Sequence, residues 1–466
     1  MAEKNSRTNT DKRTFLDDLL SEEEKQNIFG VADHLYSHIQ DNGYMPASLS
    51  YRPYDHHWFR DASLVASRLI DFSNILETGL QDGSEYSSHV KKSRDKALSL
   101  ILFMCDAIDS FSDNIKHGIE IDVERRDFWE LSSHFPARVN KSGRLSSTDE
   151  GMEGLRQYDS IPLILNSCWE YIDSFGVDNF KPVERKIRKN IEALTDYMLK
   201  VYNTECANAW EMYWNKIHSY DVLSIEAGLE SASKISGALG LGIEVKRLEE
   251  KSRINYPSGI IGFLRDMFIR DNGLRDSKKT WGKKGFETEP ENGLDSAFIF
   301  IVSGTRKNLL DENTYKKTVS RIERTLMDKN TLSLRFVGDG YKDVYFYGGR
   351  WLPVSLRLAG NYLETAEIDK ADKIVEYINK KFLSADSEKI ETYVDKKYRL
   401  AGKYNVSKEK FALPEQVVID PASDRDQDCF LEKNDGVPIL CLAWSEAEYL
   451  CPASKLPFLR SQGNGR

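Results

Sequence analysis

The hydrophobic positions of the chain recur mostly with the period of an α-helix. One face of such a helix collects Ile28, Val31, Leu35 and Ile39. The same spacing predicts further helices around Leu64–Phe72, Leu98–Cys105, Ile161–Ile172, Val183–Tyr202, Val222–Leu239, Lys246–Asn255, Leu294–Val302, Glu312–Met327, Trp351–Leu358, Thr365–Phe382 and Val437–Tyr449. The pattern therefore predicts an all-α protein of roughly a dozen helices.

Long polar loops rich in Gly, Asp and aromatic residues separate these helices. They are predicted at Tyr44–Phe59, Ile121–Tyr158, Gly273–Gly293, Arg335–Arg350 and Tyr404–Asp428. Loops of this length in a compact protein are usually functional. No low-complexity linker or shift in composition divides the chain, so one domain is expected. A closed ring of paired helices is one arrangement that gives every helix a buried face.

The charge and composition of the chain argue against a nucleic-acid partner and against a membrane-spanning segment. The 466 residues carry a net charge of -9, and Lys and Arg are scattered among acids, so no nucleic-acid partner is expected. No apolar run is long enough to span a bilayer, and the polar start lacks the apolar segment of a signal peptide. The six cysteines show no CxxC pairing, which predicts free thiols in the cytoplasm.

The first stretch with candidate chemistry is YDHHWFRDASLV, Tyr54–Val65. Asp61 could cap the following helix, which is the commoner role of an acid at such a place. Alternatively, Arg60 and Asp61 could grip sugar hydroxyls, because a guanidinium donates and a carboxylate accepts hydrogen bonds. His56 and His57 are adjacent and lack an i,i+4 partner, so no metal site is expected.

Two separate acids lie in contexts that could change their chemistry. Glu211 stands in NAWEMYW between Trp210 and Trp214, where apolar surroundings would disfavour its charged form and raise its pKa. Glu415 follows Pro414, which fixes the backbone before it. Glycoside hydrolysis needs two such carboxylates, one on each side of the scissile bond. Taken alone, either residue is more commonly an exposed glutamate on a loop or turn.

The stretch Arg335–Leu356 combines aromatic residues with Gly, Asp and Arg. Aromatic faces can stack on sugar rings while charged groups contact the hydroxyls, and glycines let the backbone approach closely. The spacing of the glycines fits neither phosphate-binding motif, GxxxxGK[ST] or GxGxxG. An aromatic surface loop is the alternative.

The order of the motifs is more specific than any one of them. The chain contains, in sequence, W-F-R-D at Trp58–Asp61, Q-Y-D at Gln157–Asp159, W-E at Trp210–Glu211, the aromatic and glycine run Asp343–Trp351, P-E-Q at Pro414–Gln416 and L-A-W-S-x-A at Leu442–Ala447. This order resembles the glucoamylase family of glycoside hydrolases, family fifteen, over about Tyr51–Tyr449.

The resemblance implies a fold and an activity. The fold is an (α/α)6 barrel, a toroid of six helical hairpins, expected as one catalytic domain over 19–456 between a disordered arm at 1–18 and a flexible tail at 457–466. The activity is inverting release of β-glucose from the non-reducing end of short α-linked gluco-oligosaccharides, without a cofactor.

The resemblance also implies roles for individual residues. Glu211 matches the general acid and Glu415 the general base. The residues that match the sugar-binding pocket are Trp58, Arg60, Asp61, Asp159, Trp210, Arg335, Trp351 and Trp444. Many family members carry a second acid after W-E, whereas this chain has Met212, which leaves the linkage preference open.

Other functions are compatible with the same sequence features. A trehalase or a phosphorylase could use the same barrel, and a catalytically silent carbohydrate-binding protein could keep its pocket. The presence of both Glu211 and Glu415 argues against the silent alternative. The oligomeric state is left open.

Overall fold

The computed structural model describes most of the 466-residue chain. The described residues are 19–49, 55–79, 86–122, 131–145, 156–210, 216–243, 245–253, 256–270, 273–274, 277–279, 294–297, 299–302, 310–327, 332–335, 350–383, 411–414, 416–417 and 442–463.

Helices dominate this part of the chain. Numbered α1 to α14 in chain order, they are Glu22–His38, Phe59–Gly79, Ser87–Ser110, Ser112–Glu120, Ser160–Phe175, Val177–Val201, Ser219–Leu239, Val245–Ser252, Gly259–Phe268, Ile299–Val302, Glu312–Thr325, Leu352–Glu364, Ile368–Ile378 and Ala443–Gly463. Short strands, β1 to β8, are His57–Trp58, Arg138–Val139, Lys216–His218, Ile269–Arg270, Gly273–Leu274, Ser277–Lys279, Arg350–Trp351 and Gln416–Val417. A 3-10 turn at Leu131–Ser133 and a π turn at Asn379–Leu383 complete the regular structure.

Six of the helices form a closed ring. In ring order they are α2, α5, α7, α10, α12 and α14, each contacting the next, and α14 contacts α2. Helices α1, α3, α6, α8, α9 and α13 pack against these ring helices. Ring closure gives every inner helix two inner neighbours, so the fold needs no large sheet to cover an apolar face.

Burial follows this division into inner and outer helices. Every residue of α5 from Ser160 to Cys168 is buried, because neighbours surround an inner helix. The outer helix α6 instead buries one face, which includes Val183, Ile187 and Leu194 at helical spacing. The alternation of apolar and polar positions with the helical period is therefore clearest in the outer helices.

Local sequence fixes where several helices begin and end. Ser21 caps α1 in a capping box, in which the Glu24 amide donates to Ser21 Oγ at 3.2 Å and the Ser21 amide donates to Glu24 Oε2 at 2.9 Å. Helix α7 ends at Gly240, whose φ of 68° lies in the left-handed region that glycine adopts without strain.

The inner helices α5 and α7 approach closely at one glycine. A Cβ atom built on Gly228 would lie 2.4 Å from Cβ of Pro162. The absence of a side chain at Gly228 therefore sets the distance between these two helices.

Short strands lead directly into three inner helices. Strand β1 precedes α2 and pairs with β2, β3 precedes α7 and pairs with β6, and β7 precedes α12 and pairs with β8. These pairings are antiparallel, and they anchor long connections at the amino-terminal ends of the inner helices.

Most predicted helices are present, with corrections. Helices α4 and α9 lie where the sequence pattern predicted none, and the helix predicted from Leu294 begins only at Ile299 in the described residues. There the Ala297 amide donates to Asp295 Oδ1 at 2.8 Å, a local turn that competes with helix. Short strands also interrupt the predicted loops Tyr44–Phe59, Ile121–Tyr158 and Gly273–Gly293.

The last helix differs most from its predicted range. It was predicted at Val437–Tyr449, but α14 begins at Ala443 and continues to Gly463 past Pro452 and Pro457. It thus includes residues 457–463, which the sequence assigned to the tail. Arg460 Nη1 lies 3.0 Å from Glu24 Oε1 and ties this end of α14 to α1.

Two further expectations concern cysteines and membranes. Cys105, Cys168, Cys206 and Cys451 are buried free thiols as predicted, whereas Cys429 and Cys441 lie outside the described residues. Within the described residues, no helix has the length and apolar character to cross a bilayer.

Candidate active site

Arg60 is the centre of a buried polar cluster at the start of two inner helices. It is the second residue of α2, and its Nη1 lies 3.3 Å from Oδ2 of Asp159, the residue just before α5. Arg60 Nη1 also donates to Gln157 Oε1 at 3.2 Å, and Asp61 Oδ1 lies 3.6 Å from Arg60 Nε. Asp61 lies inside the first turn of α2, which begins at Phe59, so of its two possible roles that of the residue capping the helix start does not apply.

A chain of hydrogen bonds continues from this cluster around the barrel. Gln157 Nε2 donates to the carbonyl of Asn208 at 3.1 Å, and Asn208 Oδ1 accepts from the Trp210 amide at 3.1 Å. The Trp210 indole Nε1 donates to Asp295 Oδ1 at 2.8 Å. Asp295 just precedes α10, so the network connects the amino-terminal ends of α2, α5 and α10.

Three tryptophans form an aromatic cluster beside this network. The Trp210 ring centre lies 5.3 Å from that of Trp351 and 6.3 Å from that of Trp444, with planes inclined by 51° and 21°. Trp351 immediately precedes α12, and Trp444 lies in the first turn of α14. Since residues from the starts of five inner helices meet here, these helix starts surround one mouth of the barrel.

Arg335 packs against two of these rings. Its guanidinium carbon lies 4.4 Å from the Trp351 ring centre and 5.3 Å from that of Trp210. Only 2% of Arg335 is exposed, and its carbonyl accepts a hydrogen bond from the Ser296 amide at 2.8 Å. A desolvated guanidinium over indole faces is a favourable cation–π arrangement.

An ion pair between the inner helices α12 and α14 contacts the aromatic cluster through Trp444. Trp444 Nε1 donates to Glu448 Oε1 at 3.3 Å, and the same oxygen lies 3.3 Å from Arg357 Nη2. Arg357 and Glu448 are nearly fully buried. This contact fixes the indole orientation through α12 and α14.

Burial and charge keep a nearby phenol protonated. Burial raises the pKa of Tyr220 well above its usual value, and the charge of Asp159 adds to that rise. Tyr220 therefore presents a neutral phenol at the start of α7, the sixth inner helix.

Chemically, this mouth offers what recognition of a polyol requires. Carboxylate, amide and guanidinium groups lie close to flat indole faces. All of these groups are buried, so their hydrogen bonds operate where little water competes.

The structure brings most of the predicted pocket residues together. Arg60, Asp61 and Asp159 form the first cluster, while Trp210, Arg335, Trp351 and Trp444 form the second. Trp58 lies in β1 next to α2, with the Arg138 guanidinium 4.7 Å from its ring centre. Glu211 and Glu415 lie outside the described residues.

Sequence reasoning missed two members of this network. Asn208 was part of the quoted motif NAWEMYW but received no role, although it lies two residues before Trp210. Asp295 follows a predicted helix start and carries no motif. Its burial and its place just before α10 became apparent only in the structure.

Comparison with known proteins gives a fold. No family model matches the sequence, and no curated protein matches it. A solved wild-type glycosidase is 17% identical, with a TM-score of 0.65 over 94% of this chain and 99% of that chain. The glucoamylase from Saccharomycopsis fibuligera is 14% identical, with a TM-score of 0.59 over 97% of this chain and 98% of that chain.

A longer protein shows the same likeness. A bacterial glucoamylase complexed with acarbose is 14% identical, with a TM-score of 0.56 over 95% of this chain and 57% of that chain. The chain has the glucoamylase-type helical barrel. The predicted all-α barrel fold is therefore confirmed. Its six inner helices are the closed ring described above.

Proposed function

We propose that this protein is an inverting glycoside hydrolase that releases β-glucose from the non-reducing end of short α-glucosides. Glu211 is the general acid and Glu415 the general base. The proposal rests on the contacts of Trp351 with the neighbours of both carboxylates in the chain.

A neighbour of each carboxylate in the chain lies against Trp351. Trp210, which precedes Glu211 in the chain, has its ring 5.3 Å from that of Trp351. Gln416, which follows Glu415, is the Cα partner of Trp351 in the β7–β8 pair. On the other side of Glu415, the Pro414 carbonyl accepts a hydrogen bond from Ser445 Oγ at 2.8 Å. This convergence is the observation that best supports a shared site.

The pocket residues fit the recognition of a terminal glucose. Arg60, Asp61 and Asp159 present one donor fork and two carboxylates for sugar hydroxyls. The indole faces of the Trp210, Trp351 and Trp444 cluster suit the C–H faces of the ring. Because the cluster is buried, each of these hydrogen bonds would be made away from bulk water.

The reaction follows from the roles of the two acids. Glu211 gives its proton to the glycosidic oxygen as the bond to the anomeric carbon breaks. Glu415 takes a proton from a water molecule that attacks that carbon from the opposite face. Inversion requires carboxyl groups about 6.5–9.5 Å apart, whereas about 5 Å would fit retention.

The ligands bound in two structural neighbours agree with a sugar ligand. One glycosidase was solved in complex with glucose, and the bacterial glucoamylase was solved with acarbose. At their low identity these proteins support the choice of ligand class for this chain without fixing its linkage.

A panel of α-linked disaccharides tests the proposal. The purified protein is incubated with α-1,4-, α-1,6- and α-1,1-linked glucose pairs, and glucose release is measured with and without phosphate. Release from at least one α-1,4 or α-1,6 pair without phosphate is expected. Cleavage of trehalose alone would indicate a trehalase, and dependence on phosphate would indicate a phosphorylase.

The anomer of fresh product tests the stereochemistry separately. Proton NMR within the first minutes of turnover should show β-glucose, which then mutarotates. Initial α-glucose would contradict inversion. Tight sugar binding with no glucose release from any pair would instead favour a silent binding protein.

A further inference from the structure

A second cluster of polar side chains, two histidines and one glutamate, lies between the outer helix α1 and the inner helix α14. His34 and His38 are four residues apart on α1, and Glu446 lies in the first turn of α14, which packs on α1. His34 Nδ1 lies 2.9 Å from Glu446 Oε1, and His38 Nε2 lies 3.5 Å from Glu446 Oε2. The three side chains thus meet across a helix–helix interface.

The spacing of the two histidines suits metal chelation. Residues i and i+4 stack on one helix face, and the two imidazole centres lie 4.9 Å apart. The three ligand atoms lie within 4.8 Å of one another. In a tetrahedral zinc site with bonds near 2.0–2.1 Å, ligand atoms lie roughly 3.3 Å apart, so only small side-chain shifts are needed.

The imidazole ring of His38 is buried without a hydrogen bond from either ring nitrogen to a described residue. The side chains of His38 and Glu446 are both 0% exposed. Neither ring nitrogen of His38 has a hydrogen-bond partner among the described residues. A buried polar nitrogen that makes no bond costs free energy, and its Nε2 is directed towards a carboxylate oxygen. A cation bound there would give this nitrogen a partner.

We propose that His34, His38 and Glu446 bind one divalent transition-metal ion, with Zn²⁺ favoured by the donor set. Two neutral imidazoles and one carboxylate are ligands that Zn²⁺ accepts, and they leave a fourth position for water. The His34 side chain is 10% exposed, which provides a route for the ion from solvent.

The bound ion would cross-link parts of the chain that are distant in sequence. His34 and Glu446 are 412 residues apart. The Leu413 amide donates to Glu446 Oε1 at 3.4 Å, so the same carboxylate also contacts the described segment 411–414. A bound ion would therefore stabilise ring closure by holding α1 against α14.

Metal binding is tested on untagged, full-length protein stripped with EDTA. Zn²⁺ titration with metal analysis of the dialysed protein should give one ion per chain. Co²⁺ as a probe should give the intense visible absorption of a tetrahedral site. Absence of stoichiometric Zn²⁺ binding, or only the weak absorption of octahedral Co²⁺, would overturn the proposal without any variant.

Variants then locate the ion. His34→Gln, His38→Gln and Glu446→Gln should each lower Zn²⁺ affinity by at least about 100-fold, since even an indirect ligand partner is worth 10–100-fold. Each should also lose the Zn²⁺-dependent rise in Tm. The matched control is His117→Gln, on the exposed face of α4, which should bind Zn²⁺ as the wild type does. Binding that survives in all three variants would place the ion elsewhere and refute the assignment.

Discussion

The guanidinium carbon of Arg335 lies 4.4 Å from the centre of the Trp351 ring. The Trp210 ring lies 5.3 Å from the same carbon, so the planar cation contacts two indoles at once. The side chain therefore orders the aromatic cluster in addition to presenting a charge at the barrel mouth. Its planarity and its charge are separable by substitution.

Arg335→Lys keeps the positive charge but removes the planar face. Because lysine cannot reproduce the stacking on both rings, we expect kcat/KM for α-glucoside hydrolysis to fall by about 10-fold, equivalent to about 1.4 kcal/mol. Steady-state kinetics measures the change. Arg188→Lys, in the partly exposed pair with Glu184 on α6, should leave kcat/KM unchanged. Unaltered kinetics in Arg335→Lys would show that charge alone matters.

Asp159→Asn tests how much the buried ion pair between Arg60 and Asp159 contributes to stability, compared with an exposed ion pair. Asp159 is 0% exposed, and its loss of charge leaves the Arg60 guanidinium less compensated. Breaking a buried pair costs about 3–5 kcal/mol, so the free energy of unfolding should fall by an amount of that order. Urea denaturation followed by circular dichroism measures it.

The control for this variant is Asp33→Asn, in the exposed pair with Lys92. Exposed pairs contribute about 0–1 kcal/mol, so this substitution should be nearly silent. Equal effects of the two substitutions would mean that the Arg60–Asp159 contact contributes no more than a surface pair.

His57 makes stability depend on pH in a defined direction. Burial lowers the pKa of His57 from 6.5 to about 3, and the Met45 amide donates to its Nδ1 at 3.1 Å, which requires a neutral ring. Between these pKa values the unfolded chain binds a proton here that the folded chain does not. Stability should therefore fall as the pH drops below about 6.5, by up to about 1.4 kcal/mol per pH unit.

His57→Asn isolates this contribution. Its Oδ1 can still accept from the Met45 amide, but it does not titrate. Urea midpoints at pH 7, 6 and 5 should decline less steeply in this variant than in the wild type, whereas the exposed His117→Asn should follow the wild type. Parallel curves for all three proteins would contradict a neutral buried His57.

The roles of Glu211 and Glu415 can be distinguished by comparing the turnover of two substrates whose leaving groups differ in their need for a proton. Glu211→Gln should lower turnover of a disaccharide by about 10²–10⁴-fold but spare much of the turnover of α-glucosyl fluoride, whose leaving group needs no proton. Glu415→Gln should lower both, because water activation is common to them. Glu230→Gln, in the exposed pair with Lys234, is the control. Near-normal disaccharide cleavage by Glu211→Gln would disprove its role as the acid.

Two glycines of α7 should respond in opposite directions to alanine. At Gly228 the new Cβ would lie 2.4 Å from Pro162 Cβ, so overpacking should cost about 1–3 kcal/mol. At Gly237 nothing lies within 4 Å of the new Cβ, so the better helix propensity of alanine should add about 0.5–1 kcal/mol. Thermal unfolding compares them, and the same sign at both positions would refute the close approach of α5 and α7.

The sequence predicted the barrel better than its connections. Amphipathic outer helices such as α6 have a clear period, and the ordered tryptophan and arginine motifs predicted residues that do meet at one mouth. The end of α14 was missed because Pro452 and Pro457 normally stop a helix. The Trp210–Asp295 hydrogen bond was missed because its members are 85 residues apart and only folding brings them together.

The histidine pair shows the same limit. The spacing of His34 and His38 on α1 is visible in the sequence, and it is the signal that could have indicated a chelating face. Its third member, Glu446, follows Trp444 and Ser445 in a motif assigned to the sugar pocket. A local pattern cannot identify a partner that ring closure alone supplies.

Closure of the ring by α14 on α2 has a consequence for biosynthesis. One ring neighbour of α2 is α14, which is synthesised after the other five ring helices, so the nascent chain carries an incomplete ring until α14 has been translated. During that time the apolar flank of α2 that α14 later covers stays open to water. This apolar flank is a surface that chaperones can bind until α14 docks on α2.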